Sequence, residues 1–449
     1  MKLKIIGGGL AGCEAAWQAA ERGIDVAVFE MRPKQTTGAH RTGNLAELVC
    51  SNSLGSNLPN RASGLLKAEL RQLGSLLIAC ADASSLPAGG ALAVDRDLFS
   101  TCVEQKLESH PKITVFRQEI EVIPESPAIL ATGPLTSPLL SDQLKSFTGE
   151  SHLFFFDAIS PVIDVESINM EIAFRANRYM FGEEVEGDYI NCPFDKETYY
   201  SFWKALIEAK RIPMRPFEVG IDSGVHAGKN EYFQGCQPIE VIARRGQKAL
   251  AFGPMRPVGL IDPRTGRRPY AVVQLRQDNL AGDLYNLVGF QTNLTYTEQE
   301  RVFRMIPGLE MATFQRFGQM HRNAFLSAPK LLDGSLAFHQ QPGLFVAGQL
   351  AGIEGYAGNI ASGLVAGINA AHYIKGLPPI VLPQTTMTGA LIHYVTHAAP
   401  EDFQPMKAIF GILPKPDDGE RRNKQARYEF YKDRALLDLK AYAQRNIFI

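Results

Sequence analysis

The chain lacks most of the features that mark a special environment. Its six cysteines are spread over 449 residues, with no C-x-x-C pair and no metal-ligand spacing. Neither a disulfide framework nor a metal site is expected, and reduced thiols in a cytoplasmic protein are the default. No uninterrupted apolar segment reaches the roughly 18 residues that a membrane span requires. The opening apolar run is too short for a signal peptide and is interrupted by glycines and Glu14. A net charge of −1 gives no global attraction to nucleic acid, so any RNA-binding face must be local. There is no internal repeat, no low-complexity tract and no sign of an obligate protein partner. What remains is a globular chain long enough for two or three domains with ample core.

The richest stretch is the first thirty residues. Lys2-Leu3-Lys4-Ile5-Ile6 reads as a buried strand, and Gly7-Gly8-Gly9-Leu10-Ala11-Gly12 follows at once. An Ala-rich, amphipathic helix is expected over residues 13–22, stopped by Gly23, and a second strand over 24–30 ends in Glu30. Strand, G-x-G-x-x-G, helix, strand and acid occur in the order a dinucleotide site requires. Gly7 allows the tight turn, Gly9 lets the backbone approach a pyrophosphate, and Gly12 lets helix and strand pack closely. Glu30 is placed to accept hydrogen bonds from a ribose.

Residues 31–62 form a long polar stretch of the kind that surrounds a ligand. Helices are expected over 63–77, from Asp95 to Leu107 and over 199–210; strands over 113–116 and 128–131, with an alternating run at 171–174. Glycines return late in the chain. Residues 343–349 read as a strand entering a loop, and 361–374 as a small-residue helix. A helix N-terminus arriving there, near Gly348, Gln349, Glu354 and Gly355, can stabilise negative charge on a reduced flavin. Paired with the N-terminal fingerprint, it favours FAD. The fold class expected is α/β, a Rossmann-like FAD-binding domain with a parallel sheet, interrupted by an α+β insertion. The divisions are 1–150, 151–325 for the insertion, and 326–449 for the closing part and helical tail.

Two thiols stand in polar loops, Cys50 within Glu47-Leu48-Val49-Cys50-Ser51-Asn52-Ser53 and Cys236 within Gly235-Cys236-Gln237-Pro238-Ile239-Glu240. Cys13, Cys80 and Cys102 fall in expected helices and read as packing; Cys192 stays open. Between 241 and 276 the basic residues Arg244, Arg245, Lys248, Arg256, Arg264, Arg267, Arg268 and Arg276 face a single acid, Asp262. So one-sided a run suggests phosphate contacts, against the alternative of a solvated face. Arg421, Arg422, Lys424 and Arg427 form a weaker candidate, and His321 could line a ligand pocket.

These motifs, together with His321-Arg322-Asn323, Gly348-Gln349, Glu354-Gly355-Tyr356 and Phe403-Gln404-Pro405-Met406, resemble the folate- and FAD-dependent tRNA (uracil-5-)-methyltransferase family along nearly the whole chain. The resemblance implies that C5 of the T-loop uridine (U54) of tRNA is methylated to 5-methyluridine. Methylenetetrahydrofolate would donate the carbon, reduced FAD would carry and reduce it, and NADH or NADPH would supply the electrons. It further implies that Cys236 is the nucleophile at uracil C6, that Cys50 is the base or a thiol protecting the flavin, and that His321 lies against the folate ring. The alternatives are a related folate and FAD enzyme of the wobble uridine, whose chains are longer, a plain FAD-dependent oxidoreductase, and a nucleotide-sensing module without turnover.

Overall fold

The computed structural model describes residues 2–37, 39–149, 153–158, 160–178, 187–212, 237–318, 320–416 and 422–447. Its first sheet has six strands in the order Ala337–Phe338, Gln341–Val346, Ala128–Leu130, Leu3–Ile6, Val26–Glu30 and Ile113–Arg117. All pairings are parallel except that of the edge strand Ala337–Phe338. Leu3, Ile5, Val26, Val28, Ile129 and Leu130 are wholly buried, as expected of parallel strands covered on both faces. The strand from residue 341 pairs with one from residue 128, so the sheet is completed only late in the chain.

A second six-stranded sheet is antiparallel: Phe174–Arg175, Tyr189–Phe194, Ala271–Gln277, Leu284–Leu287, Val162–Asp164 and Phe314–Arg316. It has its own core, built from residues between Ile163 and Ala312. The chain leaves the first sheet along Leu153–Ala158 and returns along Met320–Phe325, and these two segments pair antiparallel as a ribbon. Among the described residues no helix is long and apolar enough to cross a membrane.

Four expectations are corrected. The helix expected over 63–77 is two helices, Ala62–Gln72 and Leu76–Ala83. Gly74 turns the chain at φ +74°, and Ser75 caps the second helix by accepting the Ile78 N–H. The first helix, Leu10–Glu21, is buried on nearly every side and so is not amphipathic. Its polar positions face inward: Gln18 donates to Glu14 at 2.9 Å, and Glu14 accepts the Ser75 hydroxyl at 2.8 Å and the Leu77 N–H at 3.1 Å. A buried acid there serves the N-terminus of the helix Leu76–Ala83, which the sequence pattern does not reveal. The alternating run at 171–174 is mostly a turn, with a strand only at Phe174–Arg175. The late glycine-rich helix is longer than expected, Tyr356–Lys375.

That late helix packs directly on Leu10–Glu21. A side chain added at Gly363 would run into the backbone of Ala11, and one at Gly367 into the backbone of Ala15. Glycines four apart on one helix thus meet alanines four apart on the other, and the backbones approach to contact. The tail is tied down similarly. Glu69, fully buried, accepts the N–H groups of Met387 (2.6 Å) and Thr388 (2.9 Å) at the start of the helix Met387–His397.

Gly367→Leu is expected to lower the urea midpoint by the equivalent of about 1–3 kcal/mol or more, because the core must be overpacked. Flavin content should fall with it, since the same contact positions both helix N-termini. An unchanged midpoint with full flavin content would show that the helices part without cost.

Candidate active site

Gly7 sits at φ +104°, and a Cβ there would collide with the Ala131 carbonyl. The turn therefore requires glycine. Gly9 is different: no atom lies within 4 Å of where its Cβ would be, so its open face leaves room for a ligand. It precedes the helix Leu10–Glu21 without any side-chain cap, leaving the first-turn N–H groups and the positive dipole end to an anion. Gly12 packs against the Gly7 carbonyl, behind the turn.

Glu30 ends the second strand, nearly buried. Its Oε2 accepts the Gly8 N–H at 2.8 Å, and its Oε1 accepts both the N–H and Nε of Arg32 at 2.9 Å. Burial raises its pKa, but the Arg32 guanidinium and the two N–H donors outweigh that and hold the carboxylate below its usual range. Arg32 is 1 % exposed and also donates to Glu47 at 3.1 Å. Glu47 in turn accepts the N–H groups of Arg41 (2.8 Å) and Thr42 (3.1 Å). One buried arginine thus joins Glu30 to the loop that follows it.

These groups open on a cleft of about 1040 Å³, part of it open to solvent. Gly7, Gly9, Leu10, Ala11 and Glu30 line it, together with Gly348, Gln349, Tyr356 and Asn359. Gly8 and Gly12 stand behind the turn. Glu354 is buried and accepts from Gln349 at 2.5 Å, while Gly355, at φ +83°, precedes the uncapped N-terminus of Tyr356–Lys375. A cleft with two helix N-termini, an open glycine face and an acid at the end of the second strand fits FAD.

Cys50 is half-buried beside this cleft. Its N–H and that of Ser51 both donate to the Tyr356 phenol oxygen, at 2.7 and 3.0 Å. Burial, then the neighbouring Cys50, push the Tyr356 hydroxyl far above its ordinary pKa, so it stays protonated. Asn52, fully buried, donates to the carbonyls of Val94 (3.2 Å) and Gln277 (2.8 Å). Arg276 donates to Asn52 at 3.0 Å and to Ser51 at 2.8 Å. Burial lowers its pKa, and the charges of Tyr189, Asp278 and Cys50 oppose that. A buried guanidinium close to Cys50 favours negative charge there.

Arg276 therefore does not belong with a phosphate-binding face: it is buried and committed to the Cys50 loop. The other basic residues of that run divide. Arg244 is exposed and holds the Ile207 carbonyl at 3.1 Å, Arg245 donates to Gln237, and Arg264 is paired with Asp262 at 2.8 Å. Arg267 and Arg268 are exposed and, among the described residues, in no ion pair. Cys236 and Arg421 lie outside the described residues. His321 lies in the strand Met320–Phe325, opposite Asp157, and its side chain is also outside them. Cys13, Cys80 and Cys192 are buried and Cys102 is half-buried against Cys80. Sequence reasoning missed Arg32 and Tyr356 as parts of the site. Arg32 reaches a neighbour, Glu30, and a loop acid, Glu47, while the partners of Tyr356 lie about 300 positions away; no spacing signals either residue.

Tyr356→Phe leaves two backbone N–H groups without their acceptor, which costs about 1–3 kcal/mol locally. Amide exchange at Cys50 and Ser51 should accelerate by about tenfold or more, read by mass spectrometry on peptides from residues 45–55. Unchanged exchange would mean that the loop is held by Asn52 and Arg276 alone.

Residues 2–378 match the family model described as Glucose inhibited division protein A. A methylenetetrahydrofolate--tRNA-(uracil-5-)-methyltransferase TrmFO from Synechococcus sp. (strain JA-2-3B'a(2-13)) is 54% identical over 438 residues, covering 98% of this chain and 93% of that one. The protein of the same name from Thermosynechococcus vestitus is 55% identical over 442 residues, covering 98% and 94%. The solved structure of Aquifex aeolicus GidA, at 18% identity, superposes with a TM-score of 0.69 over 98% of this chain and 73% of that one, a likeness of fold. The chain belongs to the glucose inhibited division protein A family and, within it, to the methylenetetrahydrofolate--tRNA-(uracil-5-)-methyltransferases.

Proposed function

We propose that this protein methylates C5 of the T-loop uridine of tRNA, with methylenetetrahydrofolate as carbon donor, FAD as cofactor, NADH or NADPH as reductant, and the cytoplasm as its place of action. The observation that carries the reading is the position of the Cys50 loop, bonded to a tyrosine that lines a FAD-shaped cleft. The relatives at 54–55% identity bear the uracil-5 methyltransferase name, and this favours it over a wobble-uridine enzyme or a plain oxidoreductase.

Bound FAD would supply the redox chemistry that turns a transferred methylene into a methyl group. The protein's own residues do the rest. Gly9 and the N-terminus at Leu10 hold the pyrophosphate, and Glu30 takes the ribose hydroxyls. The second N-terminus, at Tyr356, stabilises negative charge at the pyrimidine edge. Uracil C5 is a poor nucleophile until a thiolate adds at C6 and drives the electron pair towards the C4 oxygen. We assign that addition to Cys236. C5 so activated bonds to the methylene that the folate donates. Cys50, held by Tyr356 and close to Arg276, then removes the C5 proton, whose electron pair expels the methylene's carrier; hydride, which bound FAD would supply, completes the methyl group, and the C6–sulfur bond breaks to release the Cys236 thiolate and restore the ring. Arg267 and Arg268, exposed and unpaired, are placed against tRNA phosphates, with Arg244, Arg245 and Arg264 nearer its edge. His321 is assigned to the folate ring.

Incubation with unmodified tRNA, methylenetetrahydrofolate and NADPH should yield 5-methyluridine on nucleoside analysis. With 5-fluorouridine at the target, fluorine cannot leave as a cation, so the thioether to Cys236 should persist. Cys236→Ser should form no such adduct. Cys50→Ser should form it yet make no product from ordinary tRNA, because its step follows addition. A trapped peptide containing Cys50 would reverse the two roles.

Neutralising Arg267 and Arg268 together should flatten the log–log salt dependence of tRNA binding by about one unit for each phosphate that is no longer neutralised. Flavin content should stay unchanged. A constant slope would return both residues to a solvated face.

A further inference from the structure

A second cleft, of about 950 Å³ including open solvent, shares Glu47 and Val49 with the cofactor cleft. It lies where the two sheets' regions meet, with Arg41 and Arg96 on one side and Asp278 and Arg316 on the other. Arg96 is the first residue of the helix Arg96–Glu108; it donates to the Leu48 carbonyl at 2.8 Å and to Asp278 at 3.1 Å. Its Nε is buried and, among the described residues, without an acceptor.

Arg316, at the end of its strand, is the anomaly. Its Nε and Nη2 are both buried, and among the described residues neither has a hydrogen-bond partner. Burial, and then the like charge of Arg96, push its pKa down to about 10, so it remains a cation at neutral pH. The nearby carboxylates are already engaged. Glu47 is held by Arg32 and Thr42, Asp95 accepts the N–H groups of Asp97, Leu98 and Leu280, and Asp278 accepts from Arg96 and Asn286. Buried donors on a charged group are rarely left unmatched. The Nε–Nη2 edge is the fork that takes a carboxylate through two parallel hydrogen bonds. The charges of Arg316 and Tyr356 interact, and Tyr356 lines the cofactor cleft.

We propose that Arg316, with Arg41 and Arg96 beside it, receives a carboxylate of the folate donor's glutamate tail while the pterin occupies the cofactor cleft. This rests on the folate-dependent activity proposed above. The acids lining the cleft, Asp97 among them, disfavour a string of RNA phosphates. A single slender carboxylate, entering the cleft that Arg316 lines, instead matches the Nε–Nη2 edge that is buried and, among the described residues, without a partner. The site thereby selects a glutamylated pterin over a bare one.

The test measures anaerobic binding of tetrahydrofolate, and of tetrahydropteroate lacking the glutamate, to the FAD-loaded protein. The native protein should bind tetrahydrofolate the more tightly. Arg316→Met should weaken tetrahydrofolate by about 10- to 100-fold, as removal of charge-assisted hydrogen bonds predicts, and leave tetrahydropteroate unchanged. Its ligand-free thermal midpoint should not fall, because no native hydrogen bond is removed. Arg41→Met, at an exposed residue, should give a smaller selective weakening and serves if Arg316→Met does not fold. Equal weakening of both pterins would make Arg316 merely structural and overturn the proposal. So would weaker tRNA binding with unaltered folate affinity, which would assign the site to a phosphate. A native protein that binds neither pterin would fail the proposed activity itself, before any variant is made.

Discussion

The contact on which the rest depends is the crossing of Leu10–Glu21 on Tyr356–Lys375. Gly363 and Gly367 meet the backbone at Ala11 and Ala15 with no side chain between them. That intimacy brings together two helix N-termini separated by nearly 350 positions in sequence, at the ends of parallel strands where α/β folds bind ligands. In the proposed function one terminus serves the phosphates and the other the pyrimidine edge of a flavin. A thicker interface would move the two apart and lengthen the cleft, so a packing constraint in the core sets the geometry of the site.

A second constraint joins the two sheets. Asn52, Arg276 and Asn286 form a buried polar knot, which fastens the loop carrying Cys50 to the antiparallel sheet. Buried polar networks of this kind are costly unless every member is matched, and this one matches the Asn52 side chain fully. The thiol's position therefore follows the relation between the two sheets, and any shift between them reaches Cys50. Arg32 plays the parallel part on the other side, coupling Glu30 to Glu47 and hence to the wall shared by the two clefts.

Much of this was legible in the chain itself. The fingerprint from Gly7 to Glu30 is local, because a turn, a helix start and a strand end all lie within thirty residues, and backbone sterics at Gly7 dictate the turn. The late glycine segment and the polar stretch that follows Glu30 were legible for the same reason, as were the strands at 113–117 and 128–130. Where local pattern misled, a distant partner had overridden it. The helix expected over 13–22 reads as amphipathic, yet Ser75 and Leu77 supply buried partners for Glu14, and Arg276 looked like one more cation in a basic run.

What the sequence by itself determined is the α/β nucleotide fold, its cofactor turn and the loop thiol Cys50, since each is written in short-range spacing and the chemistry of single residues. Only the tertiary structure decided which cations are chemically committed. It buried Arg276 beside Cys50, made Tyr356 the acceptor for that loop and left the edge of Arg316 unmatched. The physical reason is that burial and hydrogen-bond satisfaction are properties of contacts between residues tens to hundreds of positions apart, and no periodicity in a single chain encodes them.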